Sequence, residues 1–178
     1  MTVLTGERIT LRPPRAGDDV GRRRHGWHAE IERCYGHTTQ TRPMTDDEGA
    51  SWLADVMPRD TFWVAEADDD LVGVAFLHSR SDVDLRARFA LGLFAPELVG
   101  RGYGTEITRL VLDHAFDELD LHRVDLRVLD FNVAAIACYE KIGFVLEGRE
   151  RESCLLDGAW HDDLVMGILA HEYVRPRP

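Results

Sequence analysis

Cysteine is scarce in this chain and its spacing is uninformative for pairing. Cys34, Cys138 and Cys154 are the only three in 178 residues, and no two of them form a C-x-x-C pair. An odd number at such spacing argues for free thiols in a reducing cytoplasm, with no disulfide. Long apolar runs are also missing. No stretch approaches the length of a membrane span and the start carries no apolar leader core, so a membrane-free, cytoplasmic protein is expected. Positive charge is in short supply: 21 Lys and Arg face 32 Asp and Glu, a formal net charge of -11. That balance argues against a nucleic-acid partner and for tolerance of cationic substrates, although a solvated acidic surface accounts for it equally well.

Several signatures are absent or defective. No Gly-Lys-Ser/Thr occurs, which excludes a Walker loop, and no Gly-x-Ser-x-Gly occurs. Thr105 stands where the third glycine of a G-x-G-x-x-G fingerprint belongs, and several strands precede the loop rather than none. His25-x-x-His28 and His161-Asp162-Asp163 are better read as solvated or hydrogen-bonded side chains than as metal ligands, so no metal is expected. Repeats, linkers and low-complexity segments are lacking, and 44% of the chain is apolar, which suits one domain over residues 1–178.

Alternation predicts a strand over Arg8–Arg12, ended by Pro13-Pro14. Helices are predicted over Asp18–Tyr35 and Asp46–Met57, the second with Thr45 as N-cap and Glu48 completing a capping box. The run Arg22-Arg23-Arg24 reads as a solvated helix face. Thr61–Ala67 and Leu71–Ser79 form a hairpin turning at Asp68-Asp69-Asp70, and Val145–Leu156 with Trp160–Leu169 form another at Asp157-Gly158.

Between the hairpins lies the most informative stretch. A strand over Leu85–Phe94 leads to Val99-Gly100-Arg101-Gly102-Tyr103-Gly104-Thr105, which opens directly into a helix with Ile107, Leu110, Val111, Ala115 and Leu119 as its buried stripe. Glycines at alternate positions let backbone N–H groups crowd round a ligand, and a helix N-terminus favours an anion. Arg101 adds a cation there, so the loop asks for a phosphate or pyrophosphate. A second strand, Arg123–Leu129, precedes a short helix over Val133–Ile142 with Asn132 as N-cap and Gly143 as stop. Asn132, Ile136 and Tyr139 share one face, and Val133, Ala134, Ala135 and Ala137 keep the early turns slim. Gly92 interrupts an apolar strand, which is costly unless a backbone or ligand comes close.

These pieces resemble the Gcn5-related N-acetyltransferase (GNAT) superfamily. Its loop pattern Gln/Arg-x-x-Gly-x-Gly/Ala is matched by Val99 to Gly104, with Val99 in a position that is often polar. Its later pattern is matched by Asn132, Ala135, Tyr139, Glu140, Lys141, Gly143 and Phe144. Gly6 to Arg12 and Asp157 to Asp162 look like the ribosomal-protein N-terminal acetyltransferase branch.

The resemblance implies an α/β (α+β) fold with a mixed, mostly antiparallel sheet, in which Leu85–Phe94 and Arg123–Leu129 run parallel and splay. It implies acetyl-CoA as cosubstrate, bound by Gly92, Leu93, Phe94, Gly100, Arg101, Gly102, Tyr103, Gly104, Thr105 and Asn132. The acceptor would be a cationic amine, a peptide N-terminus or a small molecule, and a homodimer is also allowed. Tyr139 stands where the family often places its general acid. In the ribosomal branch a base Glu can precede the last hairpin turn; that place is Cys154 here, with Glu152 two residues earlier on the same face. Glu152 is therefore the first candidate base, with His78, His161 or a relayed water as alternatives. The acidic residues Asp46, Asp47, Glu48 and Asp55 would face the acceptor. A non-catalytic acetyl-CoA sensor is the main competing class, and a dinucleotide-dependent oxidoreductase a weaker one.

Overall fold

The computed structural model describes residues 2–175. Eight strands form one sheet in the order β1-β2-β3-β4-β5-β6-β8-β7. They are β1 (Leu4–Thr5), β2 (Thr10–Arg12), β3 (Phe62–Ala67), β4 (Asp70–Ser81), β5 (Arg86–Leu93), β6 (Arg123–Leu129), β7 (Val145–Leu156) and β8 (Ala159–Leu169). Five α-helices flank the sheet: α1 (Asp18–His25), α2 (Ala29–Arg33), α3 (Asp46–Val56), α4 (Tyr103–Asp117) and α5 (Val133–Ile142). Every neighbouring pair of strands is antiparallel except β5 and β6.

Local chemistry accounts for most of these boundaries. Asp68 and Asp69 both take positive φ between β3 and β4, as do Asp157 and Gly158 between β7 and β8. Two left-handed residues in succession match the twist of the strands they join. At α3, Thr45 accepts from the Glu48 N–H while Glu48 accepts from the Thr45 N–H, so the capping box forms. At the end of α5, Gly143 takes φ 117, its N–H reaches Glu140 O, and Phe144 N–H reaches Tyr139 O at 3.0 Å. That is a Schellman closure, with glycine where a side chain would strain the backbone.

The helix expected over Asp18–Tyr35 is interrupted. Gly26 adopts φ 67, and a Cβ there would lie 2.7 Å from Arg42 O. The chain bends because Trp27 and Arg42 exchange backbone hydrogen bonds at 2.8 and 3.0 Å, a long-range pairing that helical periodicity does not encode. The Arg22–Arg24 run is not one solvated face either. Arg22 is 5% exposed, donates to Gly26 O at 2.7 Å, and lies over the rings of Phe94 and Trp27. Burial lowers its pKa below the ordinary guanidinium value.

The core lies between the sheet and α4, where Ile107, Val111 and Ala115 are fully buried as the stripe requires, against Trp63, Phe89, Leu126 and Ile168. A buried ion network ties α1 to the sheet. Arg12 donates to both oxygens of Asp18, at 2.9 and 2.7 Å, and to Glu66 at 2.6 Å. Removing Asp18 leaves the buried Arg12 guanidinium under-compensated, with Glu66 as its remaining carboxylate partner. We expect Asp18→Ala to destabilise the fold by about 3–5 kcal/mol in urea titrations, and a loss under about 1 kcal/mol would show the pair is solvated.

Candidate functional site

β5 and β6 touch only at their starts. They pair at Arg86–Arg123, Ala87–Val124 and Arg88–Asp125 and then part, with Arg88 Nε 2.7 Å from Asp125 Oδ1 at the last rung. Each strand keeps its other neighbour beyond that point: β5 pairs with β4 as far as Leu93, and β6 pairs with β8 as far as Leu129. A wedge therefore opens between them, with free backbone groups along the β5 side. Phe94 N–H donates to Val72 O at 3.1 Å, towards β4. Antiparallel ladders alternate, so Gly92 points the same way while Leu91 and Leu93 turn their polar groups into the wedge.

The wedge is part of a cavity of about 1230 Å³. One wall is the glycine loop and the two following helices: Gly100, Gly102, Gly104 and Thr105, then Asn132, Ala134, Ala135, Cys138 and Tyr139. The facing wall is α2 and its exit, with Glu30, Cys34, Tyr35 and His37, together with Ser153, Cys154 and Asp163 from the last hairpin. The chain's three cysteines are all on this surface, each half-buried and free.

At the loop, Gly100 and Gly102 have φ 79 and 86, and Gly102 is the N-cap of α4 with no side-chain cap bond. The first N–H groups of α4 are thus left for a ligand. Arg8 closes the outer side, donating to Arg101 O at 2.9 Å, and its backbone N–H and that of Ile9 both reach Glu106 Oε1. Gly104 lies 3.4 Å from Leu91 at the position a Cβ would take, so only a slim residue fits between loop and wedge.

Tyr139 is 7% exposed, edge-on to Phe89 and packed on Phe144. Burial pushes its phenol well above the usual range, with the neighbouring phenol of Tyr35 adding to the effect. Tyr35 reaches into the wedge, its hydroxyl donating to Leu91 O at 3.2 Å. It also explains Gly92: a Cβ there would stand 2.9 Å from the Tyr35 oxygen.

Of the residues expected around a cofactor, Leu93, Gly100, Gly102, Gly104, Thr105 and Asn132 are on the cavity wall, as is Tyr139. Gly92 and Phe94 belong to the β4 side, and the Phe94 ring packs against Arg22 and Trp52. Arg101 stacks on Tyr103 and Tyr103 is buried, so neither side chain lines the cavity. Glu152 does not line it either. Between Glu150 and Cys154 the β7 register shifts and Glu152 itself takes φ 53, which breaks the alternation that would have kept it on the face of Cys154. His78 and His161 are off the wall too; His161 stacks edge-on against Phe131. Asp46 is held by Arg23 and Glu48 by Arg42, and none of Asp46, Asp47, Glu48 and Asp55 lines the cavity. Tyr35 and His37 had no local signal: they follow a helix break set by the Trp27–Arg42 pairing. Groups of His, Cys, Asp and Glu that could hold a metal do not occur among the described residues, and no described helix is long and apolar enough to cross a membrane.

A splayed parallel pair beside a glycine loop at a helix N-terminus is the geometry the sequence resemblance called for. A family profile described as "Acetyltransferase (GNAT) domain" matches residues 8–145. The chain belongs to the GNAT family. It is 38% identical over 104 residues to the probable N-acetyltransferase YjcK of Bacillus subtilis strain 168, a match covering 58% of this chain and 57% of that protein. It is 31% identical over 112 residues to the spermidine N(1)-acetyltransferase of Escherichia coli K12, covering 63% of this chain and 60% of that one. The matches thus span about three fifths of these curated relatives. The solved structure of spermidine N-acetyltransferase from Vibrio cholerae, in complex with CoA and spermine, superposes with a TM-score of 0.79 at 26% identity, covering 94% of this chain and 99% of that one.

Proposed function

We propose that this GNAT chain transfers an acetyl group from acetyl-CoA to a primary amine on a cationic acceptor, by direct attack in a ternary complex. The observation that carries the reading is the wedge: strand groups freed at Leu91 and Leu93, with an uncapped helix start at one end and a buried phenol beside it. Gly100, Gly102, Gly104 and Thr105 would cradle the pyrophosphate with backbone N–H groups. Asn132 would bond the pantetheine arm with its amide N–H, since its Oδ1 already caps Ala135 N at 3.3 Å. The Leu93 N–H would polarise the thioester carbonyl; one such donor contributes on the order of 3 kcal/mol. Tyr139 would hand its proton to the departing thiolate; burial raises its pKa, so the phenol is protonated at neutral pH.

The facing wall suits a cationic acceptor. Glu30 and Asp163 line it and make no ion pair among the described residues, whereas Arg127 on the same surface is tied to Glu150. The Vibrio cholerae neighbour, named for spermidine and solved with spermine, supports the same acceptor class. A thiol-release screen across amines is the direct test. A diamine should be acetylated better than a neutral amine, with a specificity constant that falls as salt rises. The double variant Glu30→Gln/Asp163→Asn should raise KM roughly tenfold, leave kcat nearly unchanged and flatten the salt dependence. A neutral or acidic best acceptor, with no salt effect, would count against the assignment.

A further inference from the structure

Acetyl transfer needs a base, because a cationic acceptor arrives as an ammonium with no lone pair. Resting on the transfer reading above, we propose that His37, oriented by Glu32, is that base. Among the histidines of the described chain, His37 alone lines the cavity. Its Nδ1 lies 3.3 Å from Glu32 Oε2, and the Glu32 side chain is 11% exposed while the imidazole is 68% exposed. The pair has the parts of a base and its orienter: a nearly buried carboxylate fixes one ring nitrogen, and the other has no hydrogen-bond partner among the described residues.

Placement agrees with the chemistry. Tyr35, two residues before His37, has its hydroxyl 3.2 Å from Leu91 O inside the wedge, which pins this segment at the reacting end. Two residues span at most about 7 Å between α-carbons, so the His37 backbone stays next to that of Tyr35 at the exit of α2. Gly36 between them takes φ 75 and lies close against the Cys154 sulfur, 2.8 Å from its would-be Cβ, which lets the chain reverse there. His37 lines the cavity from the exit of α2 and Tyr139 lines it from α5, two separate elements of the wall. Base and acid therefore come from separate elements.

The step balances as follows. With Nδ1–H donating to Glu32, Nε2 takes one proton from the acceptor ammonium and passes it to solvent. The amine nitrogen attacks the thioester carbon, the C–S bond breaks, and Tyr139 protonates the sulfur. The surplus amide proton then restores the Tyr139 phenol. One proton is released per turnover.

The charged and titratable groups around the pair are Glu30 and Arg33 on α2, Tyr35, and Cys154 and Asp157 on the last hairpin; Arg22 is a cation whose charge is felt by Glu32. Asp157 is already bound by Arg33 and Thr38, so it is not free to compete for the imidazole.

The test is the pH dependence of kcat/KM for a diamine in the full-length protein. The wild type should show an acid limb of slope one. His37→Gln should lower kcat roughly 10²-fold at neutral pH and abolish that limb, while the thermal shift with CoA stays as in the wild type. Glu32→Gln should lower kcat with little change in KM for the diamine, and Glu32→Asp should restore most of the loss; a merely structural role would leave both variants equally impaired. A His37→Gln enzyme with wild-type kcat and an unmoved limb overturns the proposal. A wild type that binds CoA but acetylates no amine overturns the transfer reading itself, and this inference with it.

Discussion

Tyr139→Phe should lower kcat by roughly 10²-fold or more while leaving the affinity for CoA within about twofold of the wild type. The ring keeps its contacts with Phe89 and Phe144, so the cavity wall survives and only the hydroxyl is lost. The sign of the pH effect is specific. Burial raises the Tyr139 pKa, so the phenol stays protonated from about pH 6 to pH 9, well below where an ordinary tyrosine ionises near 10. The wild-type to variant rate ratio should therefore be flat across that range, and any alkaline decline of the wild type must come from another group. Single-turnover kinetics isolate the chemical step. An unchanged single-turnover rate in the Phe variant would leave Tyr139 as a packing residue and move the acid role elsewhere, with Tyr35 the next phenol in the wedge.

The glycine loop carries the second large effect. CoA at a hundredfold its dissociation constant should stabilise the protein by about 2.7 kcal/mol, a rise in Tm of about 5–10 °C for a chain of this size. Gly102→Val should abolish that rise. At φ 86 any side chain is strained, and a Cβ would stand 2.9 Å from the Arg8 guanidinium, at the N-cap whose following N–H groups meet the phosphates. Gly158→Val is the control. Gly158 has φ 81 with nothing within 4 Å of a would-be Cβ, so it bears the same kind of backbone strain far from the loop and should keep the full shift. Equal shifts in both variants would show that the loop does not hold the cofactor.

The site was legible where its chemistry is local. Alternate glycines, an Asn N-cap and a Gly stop are short-range devices, and the loop, α4 and α5 fall where those residues place them. Tyr139 could be singled out because the motif around it is contiguous. The base was not legible in this way. Counting back two residues from Cys154 assumes an unbroken strand, and the irregular register between Glu150 and Cys154 invalidates the count. His37 opens the polar run His37–Pro43, and nothing in its neighbours announces that Glu32, five residues back, will lie 3.3 Å away.

The amino-acid sequence by itself determined the hairpins, the capped helices, the glycine loop and the motifs of the GNAT family, because each of these is a run of residues close together in the chain. Only the tertiary structure decided which groups face the cavity. The Trp27–Arg42 pairing bends the first helix at Gly26 and so carries Tyr35 and His37 to the wedge. Long-range packing likewise buries Arg22 against two aromatic rings and leaves Asp46 and Glu48 paired with arginines outside the cavity. A charge pattern is the same in sequence whether its residues meet water, an arginine or a substrate, and which of these it meets depends on contacts that the chain makes only once it is folded.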